Sequence, residues 1–293
     1  MTQQPGADAL APAPARAGLT RRQIFERRQR RRANRIAVLS TCIVLAAIIF
    51  LIPLTPGWDN VRKSFFDGGV FRSSFRPILR AFAYDVQIFV WCAPCIVIVG
   101  LLISLARGVR NPALYPLRLA ATVYTDVVRG VPVLLWIFLI GFGVVGLINS
   151  RSFFGSYTMW GSVALVMTYS AYVSEVFRAG IESIHESQRA AARSLGLSGR
   201  QTMRHVVLPQ AVRRVVPPLM NDFISLQKDV ALISLLGPVE ALRRATVIKD
   251  RTFNFTPYLA AAALFLCISI PLTRLTDYLF ARERRRTSGT LVG

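Results

Sequence analysis

The segment that decides the fold is residues 171–238, with the sequence AYVSEVFRAGIESIHESQRAAARSLGLSGRQTMRHVVLPQAVRRVVPPLMNDFISLQKDVALISLLGP. Between two apolar stretches it contains residues 178–214, which are rich in arginine and too long for a simple connection. Helices of a bundle are usually joined by about two to eight residues, so a longer connection generally has a structure and a task of its own. We therefore expect residues 178–214 to form a folded element between two helices.

A short helix is predicted in the first half of this loop. Its marker residues recur at helical spacing: Gln188, Ala191, Ala192 and Leu195. Gly196 follows at the point where a helix commonly ends in the left-handed conformation, which glycine adopts most easily. The pattern predicts a helix that ends at Gly196.

A second short helix is predicted directly afterwards. Ser198 followed by Gln201 matches a capping box, in which each side chain binds the backbone N–H of the other residue. An apolar stripe follows at Met203, Val206 and Val207. Pro209 is expected to end this helix. The resulting helix-turn-helix has two equally open interpretations from its residues alone, an interfacial cover over helix ends and a docking site for a cytoplasmic partner.

The composition indicates that the chain is embedded in a membrane. Of its 293 residues, 53% are hydrophobic and 17% are charged, and the mean hydropathy is +0.44. Soluble domains average about 45–50% apolar and about 25% charged residues. A helix needs about 20 apolar residues to cross a bilayer. Six stretches qualify: 36–54, 86–106, 131–148, 158–177, 215–236 and 257–275. We predict an all-α polytopic membrane protein with about six transmembrane helices.

The basic residues predict the orientation of these helices. The chain has 36 Lys and Arg against 15 Asp and Glu, a net charge of +21. Both terminal tails and the loops 107–118 and 178–214 together hold 23 of the basic residues, and the opposite side holds 10. Cytoplasmic loops carry the basic excess, so both termini should be cytoplasmic in an inner-membrane protein. This topology and attraction to anionic lipid explain the charge, and no nucleic-acid partner is expected.

Catalytic and metal-binding patterns were not found in the sequence. His185 and His205 lie in one loop without the second ligand that a zinc helix would need, and no glycine-rich stretch ends in the Gly-Lys of a phosphate-binding loop. Cys92 and Cys95 lie within a predicted membrane helix, where buried apolar thiols are expected. We therefore expect no catalytic residue, no metal and no cofactor in this chain.

Polar residues inside the fifth apolar stretch are a second functional lead. Asn221, Ser225 and Lys228 recur at helical spacing, and Asp222 and Asp229 lie on the adjacent strip. A charge near the bilayer centre costs about 2.5–3.5 kcal/mol, so this face should avoid lipid. It could line a route for a zwitterion or form ion pairs at a dimer interface, and both alternatives stay open. A further pair, Asp126 and Arg129, is expected to be structural.

The loop resembles the EAA loop of binding-protein-dependent ABC importer permeases, in particular the polar amino-acid branch (glutamate, glutamine or histidine type). The matching loop residues are Gln188, Ala191, Ala192, Leu195, Gly196 and Leu197, followed by Leu208, Pro209, Gln210 and Ala211. Flanking matches include Arg129, Gly130 and Pro132, then Ala171, Tyr172, Glu175, Arg178, Ala179 and Gly180, and finally Pro217, Pro218, Asn221, Lys228, Leu232 and Gly237. The resemblance extends over residues 65–280.

The sequence also departs from the family pattern. The glutamate of the EAA motif is replaced by Ala190, and the preceding glycine by Ser187. Two hydroxyl residues that usually follow Lys228 are replaced by Val230 and Ala231. The resemblance therefore predicts the family more firmly than the substrate.

The resemblance implies a type I ABC importer permease with a five-helix core plus an added N-terminal helix. It implies these segments: 1–35, a basic flexible cytoplasmic tail; 36–54, the additional transmembrane helix; 65–280, the permease domain with coupling loop 178–214; and 281–293, a basic cytoplasmic tail. The expected partners are separate ABC ATPase subunits that hold ATP and Mg, a second permease as homodimer or heterodimer, an extracytoplasmic solute-binding protein and the lipid bilayer. The implied coupling residues are Gln188, Ala191, Ala192, Leu195, Gly196, Leu197, Leu208 and Pro209, and the pathway candidates are Arg129, Glu175, Asn221, Asp222, Ser225, Lys228 and Asp229.

Two other function classes compete with this interpretation. A secondary transporter acting alone would usually contain an internal repeat with paired broken helices, which the sequence lacks. The other alternative is a membrane-anchored scaffold or enzyme, and an enzyme would need a constellation of catalytic residues that the sequence lacks. We therefore expect a transport component that is not itself an enzyme.

Overall fold

The computed structural model describes residues 21–109, 111–148 and 155–289, which contain helices and no strand. Eleven α-helices lie in this part of the chain: α1 (Arg21–Leu51), α2 (Trp58–Phe65), α3 (Gly68–Arg107), α4 (Tyr115–Gly130), α5 (Val133–Ile148), α6 (Tyr157–Glu182), α7 (Glu186–Ser194), α8 (Gly199–Thr202), α9 (Leu208–Asp229), α10 (Ala241–Thr252) and α11 (Thr256–Gly289). The predicted all-α fold class is thereby confirmed. The start of the N-terminal tail, the loop with Arg151 and the last four residues lie outside the described residues.

The chain divides into two compact units, Met1–Val61 and Arg62–Gly293. In the first unit, the stretch Arg32–Leu54 is long and apolar enough to cross a membrane, and none of its most apolar window is buried inside the protein. This observation agrees with a helix that presents its surface to lipid.

The other membrane-spanning candidates lie in the second unit, apart from the first residues of one of them, 58–61. Within the described residues, Trp58–Arg107 and Thr256–Arg282 are also long and apolar enough to span a bilayer. A fourth candidate is the pair Pro112–Gly130 and Val133–Ile148, bent by 105°. Each of the six predicted stretches is helical over most of its length. The count of six transmembrane helices stays a prediction, because α6 and α9 are less apolar than the other candidates.

The bent pair corrects the prediction for residues 107–130. Residues 107–118 were expected to be a connection, whereas α4 already begins at Tyr115. Its apolar residues are spaced for one face only, so it lacks the continuous apolar run that marks a span. Pro132 disfavours helical geometry at the preceding residue, and Val131 is extended, with φ −112° and ψ 135°. The chain therefore turns sharply between α4 and α5.

Helix α3 is much longer than the predicted stretch 86–106. Its 40 residues extend about 60 Å at 1.5 Å per residue. The region 55–80, between the first two predicted apolar stretches, contains α2 and the first turns of α3. These turns join α10 and α11 in a separate apolar cluster, which contains Ile78, Phe82, Ala241, Ala245, Ala260, Ala261 and Leu264.

The main core is formed by α3, α5, α6, α9 and the 3-10 helix Val230–Leu236. Its fully buried side chains include Cys92, Ile96, Ile137, Leu165 and Leu226. The prediction of buried thiols is confirmed for Cys92, whereas Cys95 is only half-buried, and Cys42 and Cys267 are exposed. Exposure is compatible with apolar thiols on a helix surface that faces lipid.

Candidate coupling segment and polar site

Residues 186–207, hereafter the α7–α8 segment, begin with a helix defined at both ends. His185 Nδ1 accepts the backbone N–H of Ser187 at 3.2 Å, so the side chain caps the start of α7. At the other end the N–H of Leu197 donates to Ala192 O and the N–H of Gly196 donates to Arg193 O. This pair of bonds is a Schellman motif. Gly196 has φ +81°, so the predicted left-handed stop is confirmed.

The second half of the segment confirms one prediction and overturns another. Ser198 and Gln201 form both bonds of the predicted capping box at the start of α8. Pro209, however, does not end the helix. A π-helical turn, Met203–Val207, leads directly into α9, and Pro209 lies in the first turn of α9. Proline is tolerated there because the first backbone N–H groups of a helix need no intrahelical acceptor.

The coupling candidates divide into an inward and an outward group. Ala192 is only 4% exposed and faces the protein. The outward group consists of Gln188, Ala191, Leu195, Gly196, Leu208 and Pro209, and Leu197 is half-buried. Leu195 is 83% exposed, which is unusual for a leucine at the end of a short helix. The outward surface therefore combines small side chains with one prominent apolar side chain, a combination suited to a shallow groove.

The segment is attached to the bundle by an arginine contact to a helix-end carbonyl, because Arg189 Nη2 of α7 donates to Ile181 O at 2.8 Å. Beside it, Arg214 of α9 donates to Ser183 O. Both acceptors belong to the last turn of α6 or the residue just after it. A displacement of α7 would therefore be transmitted to the end of α6.

An ion-pair cluster surrounds Glu175 on α6. Its carboxylate accepts from Arg107 at 2.8 Å and from Arg178, and it lies 3.9 Å from Arg129. The Arg129 guanidinium also lies 5.5 Å from the centre of the Tyr172 ring. The expected pair between Asp126 and Arg129 is wrong, because Arg129 is directed towards α6.

The polar residues of α9 differ in their exposure to solvent and in their contacts. Asn221, Ser225 and Lys228 are exposed on the protein surface. Asp229 is half-buried and accepts the Tyr169 hydroxyl at 2.7 Å. Asp222 has a buried oxygen, Oδ2, without a hydrogen-bond partner in the described protein.

One cavity of about 370 Å³ brings three pathway candidates together. Arg129, Glu175 and Asp222 line it, together with Tyr172 and Arg214. Asn221, Ser225, Lys228 and Asp229 do not belong to its lining. The cavity offers both carboxylate and guanidinium groups, the two charges that complement the ammonium and carboxylate of an amino acid.

Sequence reasoning missed a buried pair of carboxyl groups. Asp85 on α3 is 3% exposed and Glu240, at the start of α10, is 0% exposed. Asp85 Oδ2 accepts the backbone N–H of Ala241, the residue after Glu240, at 3.2 Å, so the two carboxyl groups are close neighbours. Burial raises the pKa of Glu240, while its bonds from the N–H groups of Leu242 and Arg243 cap α10 and oppose that rise. The only sequence signal is a glutamate directly before a helix.

The helical fold and the α7–α8 segment point to a membrane-embedded transport subunit. The family of binding-protein-dependent transport system inner membrane components matches residues 115–285. This match covers more than half of the chain, so the chain belongs to that family. The predicted family is thereby confirmed, and with it the multi-pass membrane location.

Individual relatives agree with this assignment. A putative glutamine transport system permease protein of Rickettsia felis is 33% identical over 59% of this chain and 78% of its own. The arginine transport system permease protein of Bacillus subtilis is 32% identical over 67% of this chain and 87% of its own. A solved amino acid ABC transporter, crystallised with histidines, has a TM-score of 0.65 and 30% identity, and the match covers 72% of this chain and 96% of that one.

Proposed function

We propose that this chain is the permease subunit of an ATP-driven importer that carries a polar amino acid, and that the α7–α8 segment couples it to a separate ATPase. The geometry of the segment is the observation that best supports this coupling role. A Schellman motif and a capping box fix two short helices, and the outward side presents small residues around the exposed Leu195. A rigid element of this kind can transmit the closure of a partner to α6 and α9.

The remaining components of the importer belong to other chains. ATP and Mg would be bound by the ATPase pair, and a solute-binding protein would deliver the substrate from outside the membrane. A second permease, identical or related, would complete the pathway. Both termini would be cytoplasmic, with the tails 1–35 and 281–293 flanking the added helix 36–54 and the permease domain 65–280.

The substrate class is supported by the polar cavity and by the names of relatives. Arg129, Glu175 and Asp222 line one cavity with both signs of charge, and the relatives include permeases named for glutamine and arginine. In this proposal Asn221, Ser225, Lys228 and Asp229 belong to the face of α9 that meets the second permease or a water-filled route.

Reconstitution tests the transport function directly. The chain, its ATPase and its solute-binding protein would be placed in proteoliposomes, and uptake of labelled glutamine, glutamate, histidine and arginine would be measured. We expect uptake of at least one of them that requires ATP on the ATPase side. Uptake that continues without the ATPase would favour a secondary transporter, and no uptake of any amino acid by an assembled, ATP-hydrolysing complex would refute the substrate class.

Accessibility tests the polar face of α9. Single cysteines at Asn221 and Lys228, introduced after replacement of the native cysteines, should react with a water-soluble thiol reagent in at least one transport state. A cysteine at the buried Leu226 is the matched control and should remain unreactive. Uniform protection at Asn221 and Lys228 would indicate a closed ion-pair network instead of a route.

A further inference from the structure

A second cavity, of about 530 Å³, lies beside the α7–α8 segment, and several basic side chains contribute to its lining. It is bounded by the end of α3, the first turns of α4, the end of α6 and the segment itself. Five guanidinium groups line it, those of Arg107, Arg118, Arg178, Arg189 and Arg193. They come from four different helices, so the fold assembles a concentration of positive charge that no single stretch of sequence contains.

Nearby carboxylates do not balance these arginines. Glu175 pairs with Arg107 and Arg178, and Glu182 also pairs with Arg178. Glu186 pairs with Arg193 and lies 3.9 Å from Arg189. Among the described residues, Arg118 takes part in no ion pair within 4 Å. Three carboxylates therefore face five guanidinium groups, and two positive charges remain without a counter-charge.

Two residues of the cavity wall also carry a buried donor without a hydrogen-bond partner. Thr202 is 5% exposed, and its hydroxyl has no hydrogen-bond partner in the described protein. The Arg189 Nε group is buried and is likewise without a hydrogen-bond partner. A buried donor left unpaired costs about 1–3 kcal/mol. Unpaired donors beside surplus positive charge are suited to an acceptor that is itself an anion.

The rim of the cavity indicates whether this anion is a soluble ion or the headgroup of a lipid. Leu105 and Met203 line the cavity and are 55% and 40% exposed. Leu102 and Ile98 continue the exposed apolar stripe from Leu105 along α3, towards the middle of its apolar stretch. A soluble phosphate would gain nothing from such a stripe, whereas the acyl chain of a lipid would lie along it.

We propose that this cavity binds the phosphate headgroup of an anionic phospholipid, with Thr202, Arg118 and Arg189 as its ligands and the acyl chains along α3. Basic pockets between helix ends at the cytoplasmic surface are suited to anionic headgroups. Because Arg189 belongs to α7 and Thr202 to α8, the lipid joins the α7–α8 segment to the bundle. The composition of the bilayer then influences the position of the segment.

Lipid selectivity of the purified full-length chain tests this proposal without any transport assay. The chain would be incorporated into phosphatidylcholine nanodiscs, and the association of spin-labelled phosphatidylglycerol would be compared with that of spin-labelled phosphatidylcholine. We expect a clear preference for phosphatidylglycerol that falls about fivefold in Arg118→Gln, the usual contribution of one basic residue near a lipid surface. Thr202→Val, which removes only the hydroxyl, should also weaken it.

Arg213→Gln is the matched control, because Arg213 is an exposed arginine outside the cavity lining. It should retain the preference of the unchanged protein. The proposal is overturned if the unchanged protein shows no preference, if the control loses as much as Arg118→Gln, or if neither cavity variant changes the preference. Displacement of the labelled lipid by millimolar inorganic phosphate would refute the lipid source and assign the site to a soluble anion.

Discussion

Glycine meets different physical requirements in the packed bundle and in the α7–α8 segment. In the bundle, a Cβ atom added to Gly180 would lie 2.2 Å from Val215 Cγ2, and one added to Gly141 would lie 2.3 Å from Leu236 Cδ1. An atom added to Gly196 would meet nothing within 4 Å, but this residue has φ +81°. In the bundle, glycine is therefore needed because a side chain has no room. In the segment there is room for a side chain, but glycine is needed for its left-handed backbone conformation.

The largest effect is expected for Gly180→Leu. The new side chain would overlap α9, where the adjoining backbone leaves little room for adjustment, and overpacking typically costs about 1–3 kcal/mol or more. We expect almost no folded protein, measured by size-exclusion chromatography of a fluorescent fusion in mild detergent. Gly143→Leu is the control, since Gly143 lies in the same bundle with nothing within 4 Å. Normal folding of Gly180→Leu would show that α6 and α9 are less tightly packed than described.

Gly196→Val is expected to affect coupling rather than folding. Left-handed backbone costs an ordinary residue about 1–2 kcal/mol, and a β-branched residue resists it further. The protein should reach the membrane at normal abundance but lose ATPase association and about 90% of uptake, a loss that corresponds to such an energy.

Arg200→Ala is the control for Gly196→Val, because Arg200 lies beyond the turn and is exposed. Its effect on uptake should be milder. If Gly196→Val binds the ATPase and transports normally, the segment is only a cover at the membrane surface.

A smaller effect is expected at the Glu175 ion-pair cluster within the bundle. Glu175→Gln would leave Arg107, whose side chain is 13% exposed, without its charged partner. Losing the partner of a buried group costs about 1–3 kcal/mol. We expect a lower thermal midpoint in detergent, whereas Glu182→Gln, with a side chain that is 60% exposed, should cost less than about 1 kcal/mol. Equal shifts in the two variants would argue against a structural role of the Glu175 cluster.

The smallest effect is expected for Ala190→Glu. Ala190 is exposed on α7, and substitutions at such positions usually change stability by no more than about 0.5 kcal/mol. The change restores the glutamate of the EAA pattern, but a partner adapted to alanine should gain nothing from it. Increased uptake would show that the natural alanine weakens coupling. The serine variant, Ala190→Ser, separates the effect of charge from that of size.

Local features of the α7–α8 segment could be predicted because they depend on neighbouring residues. The capping box of Ser198 and Gln201 and the left-handed Gly196 are determined by sequence within one turn. The end of the second helix was predicted wrongly, because a π-helical turn carries the chain past Pro209. A proline just after one helix and a proline in the first turn of the next helix occupy the same place in the sequence when one helix leads directly into the other.

Features of the bundle that depend on distant residues could not be predicted in this way. Asp85 and Glu240 are 155 positions apart, and only the packing of α3 against α10 brings their carboxyl groups together. The surplus of guanidinium groups beside the segment arises in the same manner. The helix α4 was missed because its apolar residues occupy only one face. The sharp bend at Val131, which makes α4 and α5 a pair, also depends on how the two helices pack against α6.

The central claim is that the α7–α8 segment is the contact with the ATPase, and hydrogen exchange tests it most directly. Exchange of backbone amides would be compared for the permease in nanodiscs with and without its ATPase, while nucleotide is held constant. We predict slower exchange in residues 186–207 on addition of the ATPase, with little change in α10, which lies in a different part of the bundle. Unchanged exchange in residues 186–207, in a sample where the complex has demonstrably formed, would contradict the account.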